Sequence, residues 1–505
     1  MSGPWADGVR RWASTGRRAL TTDDAPPLTY RRWVDEGDAL ARALIGAGLA
    51  PGARVATLLP NGTELLTALY ACARVGVTAI PVSTWATGPE LRRVLDAAQP
   101  DLLLTADTVP GSPRELPMGA YIWGETTGPA LPLADLLELG GRVGDGAWLA
   151  AVNAPDAGSD FVVLYTSGST GAPKGVVLSQ GAVARNAALI ADRMGFADGE
   201  RVYTYFPLFF SGGLCNALST TVAVGAELVT QARFTPAGAA TLIHERRCTA
   251  RDVWHDGLAR VAAEHAFTHE DLRRMRRGLV VDAALLAAHG AVDDLGVDMY
   301  GMTETATAFT CGHHRDPAAV RQTTQGRPLT GNLLRIVDPD TGRELKAGEQ
   351  GEILVRGPNM MSGYTDDTHL ALIDEDGFFH TGDVGSLTAD GHVRYACRTK
   401  TMIKVKGLTV QPEEVEAVLT ACPGVRRAVV TGLGAGHESS GIGAIVVLDP
   451  GTAPAEVAAW CRRELSSYKV PELRSVAEAD FPLSASLKND RLAARALFPT
   501  LPAVP

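Results

Sequence analysis

Apolar positions along the first hundred residues recur at two alternating periods. Across residues 30–47, Trp33, Leu40 and Leu44 fall on one helical face, and residues 64–74 repeat that spacing. Between and after them, residues 54–59 and 78–82 are short apolar runs that read as buried strands. Strands and helices alternating at this interval predict a parallel sheet. Trp5, Val9 and Trp12 are helically spaced and predict a short helix docked on the body. Residues 126–159 have weak periodicity and read as a connecting segment. Residues 161–165, Phe-Val-Val-Leu-Tyr, form a strand, and a second α/β region spans residues 181–300. Residues 325–400 are glycine-rich with short strands at 333–337 and 351–355, which predicts a small antiparallel β unit. From Lys400 a separate α+β unit begins, with helices at 413–421 and 454–465 around strands at 428–431 and 443–447. The expected class is α/β: a large N-terminal domain of two parallel-sheet subdomains plus the small β unit, residues 1–399, and a C-terminal α+β domain, residues 400–505.

Composition narrows the function. A chain of 505 residues is too long for one ordinary core. The net charge of -10 argues against a nucleic-acid binder, which presents a basic face. No apolar run is long enough to span a bilayer, and residues 1–14 lack a signal-peptide core. The seven cysteines form no CxxC pair, which fits a reduced, cytoplasmic protein without disulfides or a zinc site. His313 and His314 are adjacent but have no partners at ligand spacing. Of 47 basic residues only seven are lysine, so lysine is kept where a compact ammonium is wanted, for instance on phosphate.

The strand at 161–165 runs directly into Thr166-Ser167-Gly168-Ser169-Thr170-Gly171-Ala172-Pro173-Lys174-Gly175. Glycines let successive backbone N–H groups turn toward one anion, hydroxyls add donors, and Lys174 adds charge. The loop is a phosphate cradle in composition. It is not the Walker loop, because Gly175 and not Ser or Thr follows the lysine.

Residues 165–176, YTSGSTGAPKGV, resemble the phosphate loop of the superfamily of acyl- and aryl-CoA synthetases, adenylation domains and luciferases. Further segments resemble that superfamily's other signatures, in its order: residues 300–304 (YGMTE), 351–357 (GEILVRG), 361–364 (MSGY), 381–383 (TGD), 398–400 (RTK), and 481–484 (FPLS) with Lys488 and Arg491. The resemblance covers residues 28–491. It implies ATP-dependent adenylation of a small carboxylic acid, then transfer of the acyl group to CoA. Thr166, Ser167, Gly168, Ser169, Thr170, Gly171 and Lys174 would hold phosphates. Glu304, with Thr170, would hold Mg²⁺, beside Thr303. Tyr300 would stack on adenine, and Asp298 would accept from its amino group. Asp383 would accept the ribose hydroxyls, and Arg398 would contact ribose or phosphate. Lys488 would bridge the carboxylate to the α-phosphate. Phe206, Phe210, Gly212, Val281, Asp282, Gly301 and Met302 would face the acid. The C-terminal domain would be mobile, with Lys400 as hinge, bringing Lys404, Lys406 and Gly407 to the acceptor. These roles suit the chemistry, since joining two anions needs positioning, cations and oriented donors.

Several positions depart from the family pattern. Phe210 stands where His is frequent, residues 279–284 read LVVDAA, Asp298-Met299 precedes Tyr300, Thr401 follows the hinge, and Leu487 precedes Lys488. Phe206, Phe210, Trp254, Val281 and Met302 suggest an apolar pocket for a medium-chain or aromatic acid. Asp282 has two readings: a pocket group favouring an amine or hydroxyl, or the N-cap of a helix over residues 283–286. The acceptor also stays open between CoA and an amine or carrier-protein arm.

Overall fold

The computed structural model describes residues 3–86, 88–107, 119–124, 130–167, 173–253, 255–291, 293–366, 368–398, 403–405, 408–410, 412–433, 441–465, 469–484 and 489–500. The chain divides into two compact units. The first comprises Met1–Leu334, Val355–Phe379 and Asp390–Val393, and the second Arg335–Leu354, His380–Ala389 and Arg394–Pro505.

An eight-stranded sheet dominates the first unit. Its order is Gly363–Tyr364, Pro173–Ser179, Asp160–Ser167, Thr78–Pro81, Arg54–Leu58, Leu102–Ala106, Gly119–Trp123, Leu131–Pro132. The strands from Asp160–Ser167 to Leu131–Pro132 pair in parallel, and the two at the other edge are antiparallel. The predicted helices occur as Tyr30–Gly46, capped by the Thr29 hydroxyl, and Thr63–Val75. Their faces carry Trp33, Leu40, Leu44 and Tyr70 into one continuous core with the helix Pro4–Arg10, whose Trp5 and Val9 are buried. The segment expected to be a mere connector holds two helices, Leu133–Gly140 and Asp145–Asn153. Each is short and buries few side chains, so its apolar residues follow no clear stripe.

A six-stranded sheet forms the second layer. Its order is Arg277–Gly278, Ala250–Asp252, Arg201–Thr204, Glu227–Val229, Arg18–Thr21, Leu28–Thr29. The N-terminal strand Arg18–Thr21 thus lies inside this sheet, parallel to Glu227–Val229 with Leu20 opposite Leu228. From Arg201–Thr204 the chain moves to Glu227–Val229 on one side, then crosses to Ala250–Asp252 on the other. The direction of winding therefore reverses between Arg201–Thr204 and Ala250–Asp252. Ligands of open α/β sheets bind at such a reversal, beyond the carboxyl ends of the strands.

The second unit carries most of a four-stranded sheet, Leu333–Val337, Gly351–Arg356, Phe379–Leu387, Val393–Arg398, which corresponds to the expected β unit. Beyond it lie a hairpin, Ile403–Val405 with Leu408–Val410, and a three-stranded sheet, Val425–Leu433, Gly441–Leu448, Glu472–Ser475. The helices Pro412–Thr420 and Pro454–Glu464 contribute Val415, Leu419, Val457 and Cys461 to the core of this part. Among the described residues, no helix is long and apolar enough to cross a membrane.

Candidate active site

The sequence motifs become a site through strand pairing. Asp160–Ser167 and Pro173–Ser179 form an antiparallel ladder with Thr166 opposite Lys174 and Ser167 opposite Pro173. Gly168, Ser169, Thr170 and Gly171 lie outside the described residues. Gly363–Tyr364 adds to the far side, with Tyr364 opposite Val176. The pairing brings Lys174 Nζ to 5.2 Å from the centre of the Tyr364 ring, within cation–π range. The Tyr364 hydroxyl donates to Glu304 Oε1 at 2.6 Å, and Met361 N donates to the Glu304 carbonyl at 2.7 Å. Lys174, Glu304 and the 361–364 segment, far apart in sequence, thus form one cluster, with Glu304 buried.

The backbone after Glu304 is unusual. Glu304 sits in the single turn Thr303–Thr305, and Ala306 and Thr307 follow with φ of 49° and 89°. Side-chain-bearing residues avoid this left-handed region, a β-branched one most of all. The turn is held by Asn186, whose amide donates to the Ala306 carbonyl at 2.7 Å and the Ala308 carbonyl at 3.0 Å. Asn359 donates in turn to Asn186 Oδ1 at 2.9 Å. Gly301 is required here, because a Cβ would come within 2.2 Å of the Thr307 carbonyl oxygen. The sequence reading named neither asparagine and gave Tyr364 no role. Buried Asn is unusual enough to be a signal, but its partners are carbonyls that no motif marks.

On the acid side, the segment after Arg201–Thr204 turns through Phe206 to Phe210 into a π-helix, Gly212–Leu218. Asn61 fixes that segment by donating to the Phe206 carbonyl and accepting from Leu208 N. Ser211 Oγ lies 3.3 Å from Thr303 Oγ1, so the head of the π-helix meets the residue before Glu304. Phe209 and Phe210 pack edge-on against Trp85, which is half exposed and which the sequence reading did not select. Phe210 therefore replaces a polar side chain with part of an aromatic cluster. Phe206 is buried, and a Cβ on Gly212 would lie 3.9 Å from its ring. Met302 is half-buried.

Two expected acid contacts are placed otherwise. Asp282 is exposed and accepts from Ala284 N and Leu285 N at the start of the helix Ala283–Ala288, so its side chain caps that helix. Val281 is buried in the core around Tyr203, Leu258 and Leu272. Trp254 lies outside the described residues.

For the nucleotide, Tyr300 is buried in a short strand paired to Thr310. Asp298 accepts from Met299 N and from Gln325 Nε2 at 2.7 Å. In the second unit, Asp383 is buried behind the turn at Gly382, whose φ is 68°. Thr381 Oγ1 accepts from Asp383 N and donates to the Ile353 carbonyl, while Gly382 N donates to Glu352. This fixes the backbone that aims Asp383. Arg398 ends the strand Val393–Arg398, and Lys404 pairs with Thr409 in the hairpin.

Lys400, Lys406, Gly407 and Lys488 lie outside the described residues. Both stems of the Lys488 segment are described. Leu483 pairs with Asn489, and Asn489 donates to the Ala428 carbonyl at 3.0 Å. Arg491 Nη2 bridges Glu413 and Glu416 at 2.7 and 3.0 Å. Burial lifts the Glu416 carboxyl to about 7, with the Arg491 charge opposing.

Among the described residues, no group of three or more His, Cys, Asp or Glu is gathered for a metal. Glu304 as a single buried carboxylate fits a Mg²⁺ that keeps water and binds chiefly through nucleotide phosphates.

Residues 9–365 match the family of AMP-binding enzymes, and residues 414–488 match the AMP-binding enzyme C-terminal domain. The chain is 31% identical over 420 residues to an indoleacetate–CoA ligase of Aromatoleum aromaticum, covering 80% of each chain. It is 32% identical to a fatty acid–[acyl-carrier-protein] ligase, ScoC, of Streptomyces coeruleorubidus, over 89% of this chain and 86% of that one. The fold superposes on ATP-bound MatB from Rhodopseudomonas palustris with a TM-score of 0.84 and 25% identity, covering 98% and 99% of the two chains.

Proposed function

This chain belongs to the family of AMP-binding enzymes, and from that premise we propose that it is an AMP-forming acid–CoA ligase. The observation that carries the reading is the convergence of Lys174, Tyr364 and Glu304 beside the phosphate-type loop. In the first half-reaction a carboxylate oxygen of the acid attacks the α-phosphorus of ATP. The α–β phosphoanhydride bond breaks, giving acyl-AMP and pyrophosphate. In the second, the CoA sulfur attacks the acyl carbon, AMP departs with the C–O electron pair, and the thiol proton is released.

Each residue has a role that this chemistry needs. Thr166, the 167–171 loop and Lys174 hold the β and γ phosphates. Glu304, with Thr170, holds Mg²⁺, and the Tyr364 hydroxyl orients that carboxylate. When bound, the metal offsets charge on the phosphates. Tyr300 and Asp298 take adenine, Asp383 the ribose hydroxyls, and Arg398 ribose or phosphate. Lys488 bridges carboxylate and α-phosphate, lowering the repulsion between them. Phe206, Phe210, Gly212, Gly301 and Met302 border the acid near its carboxylate. We assign the domains as residues 1–399 and 400–505, with rotation at Lys400 that withdraws Lys488 and presents Lys404, Lys406 and Gly407 to CoA. The cytoplasm is the fitting compartment for a chain whose described cysteines are free and buried. A carrier-protein thiol is the second acceptor to consider, because a relative bears that activity in its name.

The test separates the half-reactions. A panel of acids is assayed for pyrophosphate release with and without CoA, and products are identified by mass. Acid-dependent release with CoA-dependent thioester is expected. Lys488→Ala should lose adenylation by about 100-fold or more yet still convert supplied acyl-AMP. Acyl-AMP that accumulates despite CoA, and disappears on adding a carrier protein or amine, would replace CoA as the acceptor.

A further inference from the structure

Asp252 and Asn216 are buried side chains that no motif absorbs. Asp252 ends the strand Ala250–Asp252, opposite Thr204 on the neighbouring strand. These are the carboxyl ends of the two strands between which the sheet reverses direction, the place where open α/β sheets receive ligands. Asn216 projects from the π-helix Gly212–Leu218, a distortion that recurs at functional sites. Asn216 Nδ2 donates to Asp252 Oδ1 at 3.0 Å. Asp252 Oδ2 and Asn216 Oδ1 are each buried with no hydrogen-bond partner among the described residues. Two adjacent side chains thus share a single internal hydrogen bond, and each keeps one oxygen without a partner among the described residues. Leaving a buried acceptor unmatched costs about 1–3 kcal/mol, so such groups require an explanation.

The neighbouring residue excludes one explanation. Arg251 is equally buried, but alternation along the strand sends its side chain to the opposite face. There its guanidinium bonds to the Leu279 and Met275 carbonyls and pairs with Asp294 at 2.6 Å. No cation reaches Asp252 among the described residues. The same π-helix begins beside Ser211, which touches Thr303 next to Glu304. The helix therefore leads from the proposed adenylation centre to the unmatched pair.

We propose that Asp252 and Asn216 form a recognition subsite for the far end of the acid, and that the substrate is a carboxylic acid bearing an amine or hydroxyl donor. This rests on the acid-adenylating reading above. The aromatic residues near Ser211 border the body of the acid, and the donor replaces the partner that the two acceptors lack. A site built to receive a donor discriminates strongly against the analogue without one, because the analogue leaves its acceptors unmatched.

The test uses full-length protein and acid-dependent ATP–pyrophosphate exchange. Acids are supplied in pairs with one carbon skeleton, with and without a terminal amine or hydroxyl. Wild type should favour the donor-bearing member of at least one pair by roughly tenfold or more in kcat/KM. Asp252→Leu should abolish or invert that preference. Asp252→Asn, nearly isosteric, should reduce it and serves if the leucine variant does not fold. A wild type that uses both members of every pair equally, or a preference unchanged in both variants, would overturn the subsite while leaving adenylation standing. Exchange with none of the acids would overturn both readings.

Discussion

Glu304 and Asp252 are both buried carboxylates of the first unit, and their surroundings differ. Glu304 receives the Tyr364 hydroxyl, its backbone is held by Met361, and Lys174 stands on the far side of the tyrosine ring. Among the described residues, the Asp252 side chain has only the Asn216 amide as a partner, and burial, opposed by that hydrogen bond, lifts its carboxyl to about 8. A carboxylate meant to face a metal and a triphosphate is oriented beforehand by donors that leave room for a cation. A carboxyl meant to meet a substrate group keeps its proton while empty, and a substrate amine or hydroxyl donor would take that proton's place. On the proposed reading, the Glu304 cluster beside the eight-stranded sheet handles charge and the Asp252 pair in the six-stranded one supplies selectivity.

Removing the charge at Glu304 tests the first half of that contrast and should have the largest effect. Glu304→Gln should lower pyrophosphate exchange by about 100-fold and raise the Mg²⁺ concentration needed for half-maximal rate, without altering the preference between paired acids. An unchanged Mg²⁺ requirement would remove Glu304 from the metal site. Tyr364→Phe should act on the same carboxylate more mildly. Losing a hydrogen bond to a carboxylate costs about 1.5 kcal/mol at the low end of its range, so the rate should fall roughly tenfold. The Mg²⁺ requirement should rise with it, a shift that a merely structural tyrosine would not give.

Stability against pH sharpens the second half. Asp252 binds its proton near pH 8 when folded, against an ordinary 3.8 when unfolded. Between those values the folded chain holds one more proton, so stability falls as pH rises. The slope contributed is at most about 1.4 kcal/mol per pH unit. Denaturant titrations at several pH values should show a flatter profile for Asp252→Asn. Identical profiles for variant and wild type would mean that Asp252 does not titrate differently in the fold.

These residues also show what the sequence could and could not reveal. The helices at 30–46 and 63–75 and the family itself were legible because periodicity and motif order are local properties. Asp282 was readable as a cap from the alanine and leucine run after it, and the backbone N–H groups of Ala284 and Leu285 take its side chain. Asp252, Asn216, Asn186 and Asn359 were not legible. Each acquires meaning from a neighbour brought by sheet order or by the π-helix, and neither leaves a periodic trace. The helices Leu133–Gly140 and Asp145–Asn153 were missed for a simpler reason, since they bury too little to stripe.

The strand Arg18–Thr21 has a consequence for how the molecule is made. Its parallel neighbour, Glu227–Val229, lies far along the chain and is made much later. The antiparallel partner Leu28–Thr29 is available at once, but a two-stranded ribbon is only marginally stable by itself. Residues 18–29 must therefore wait, edge open, while the sequence from Arg54–Leu58 to Pro173–Ser179, seven of the eight strands of the larger sheet, is synthesised. Pairing across so long an interval is intrinsically slow and exposes apolar edges to aggregation. Trimming residues 1–21, which carry the buried Trp5, Val9 and Leu20, or burying them beneath a bulky fusion, should lower the yield of folded protein.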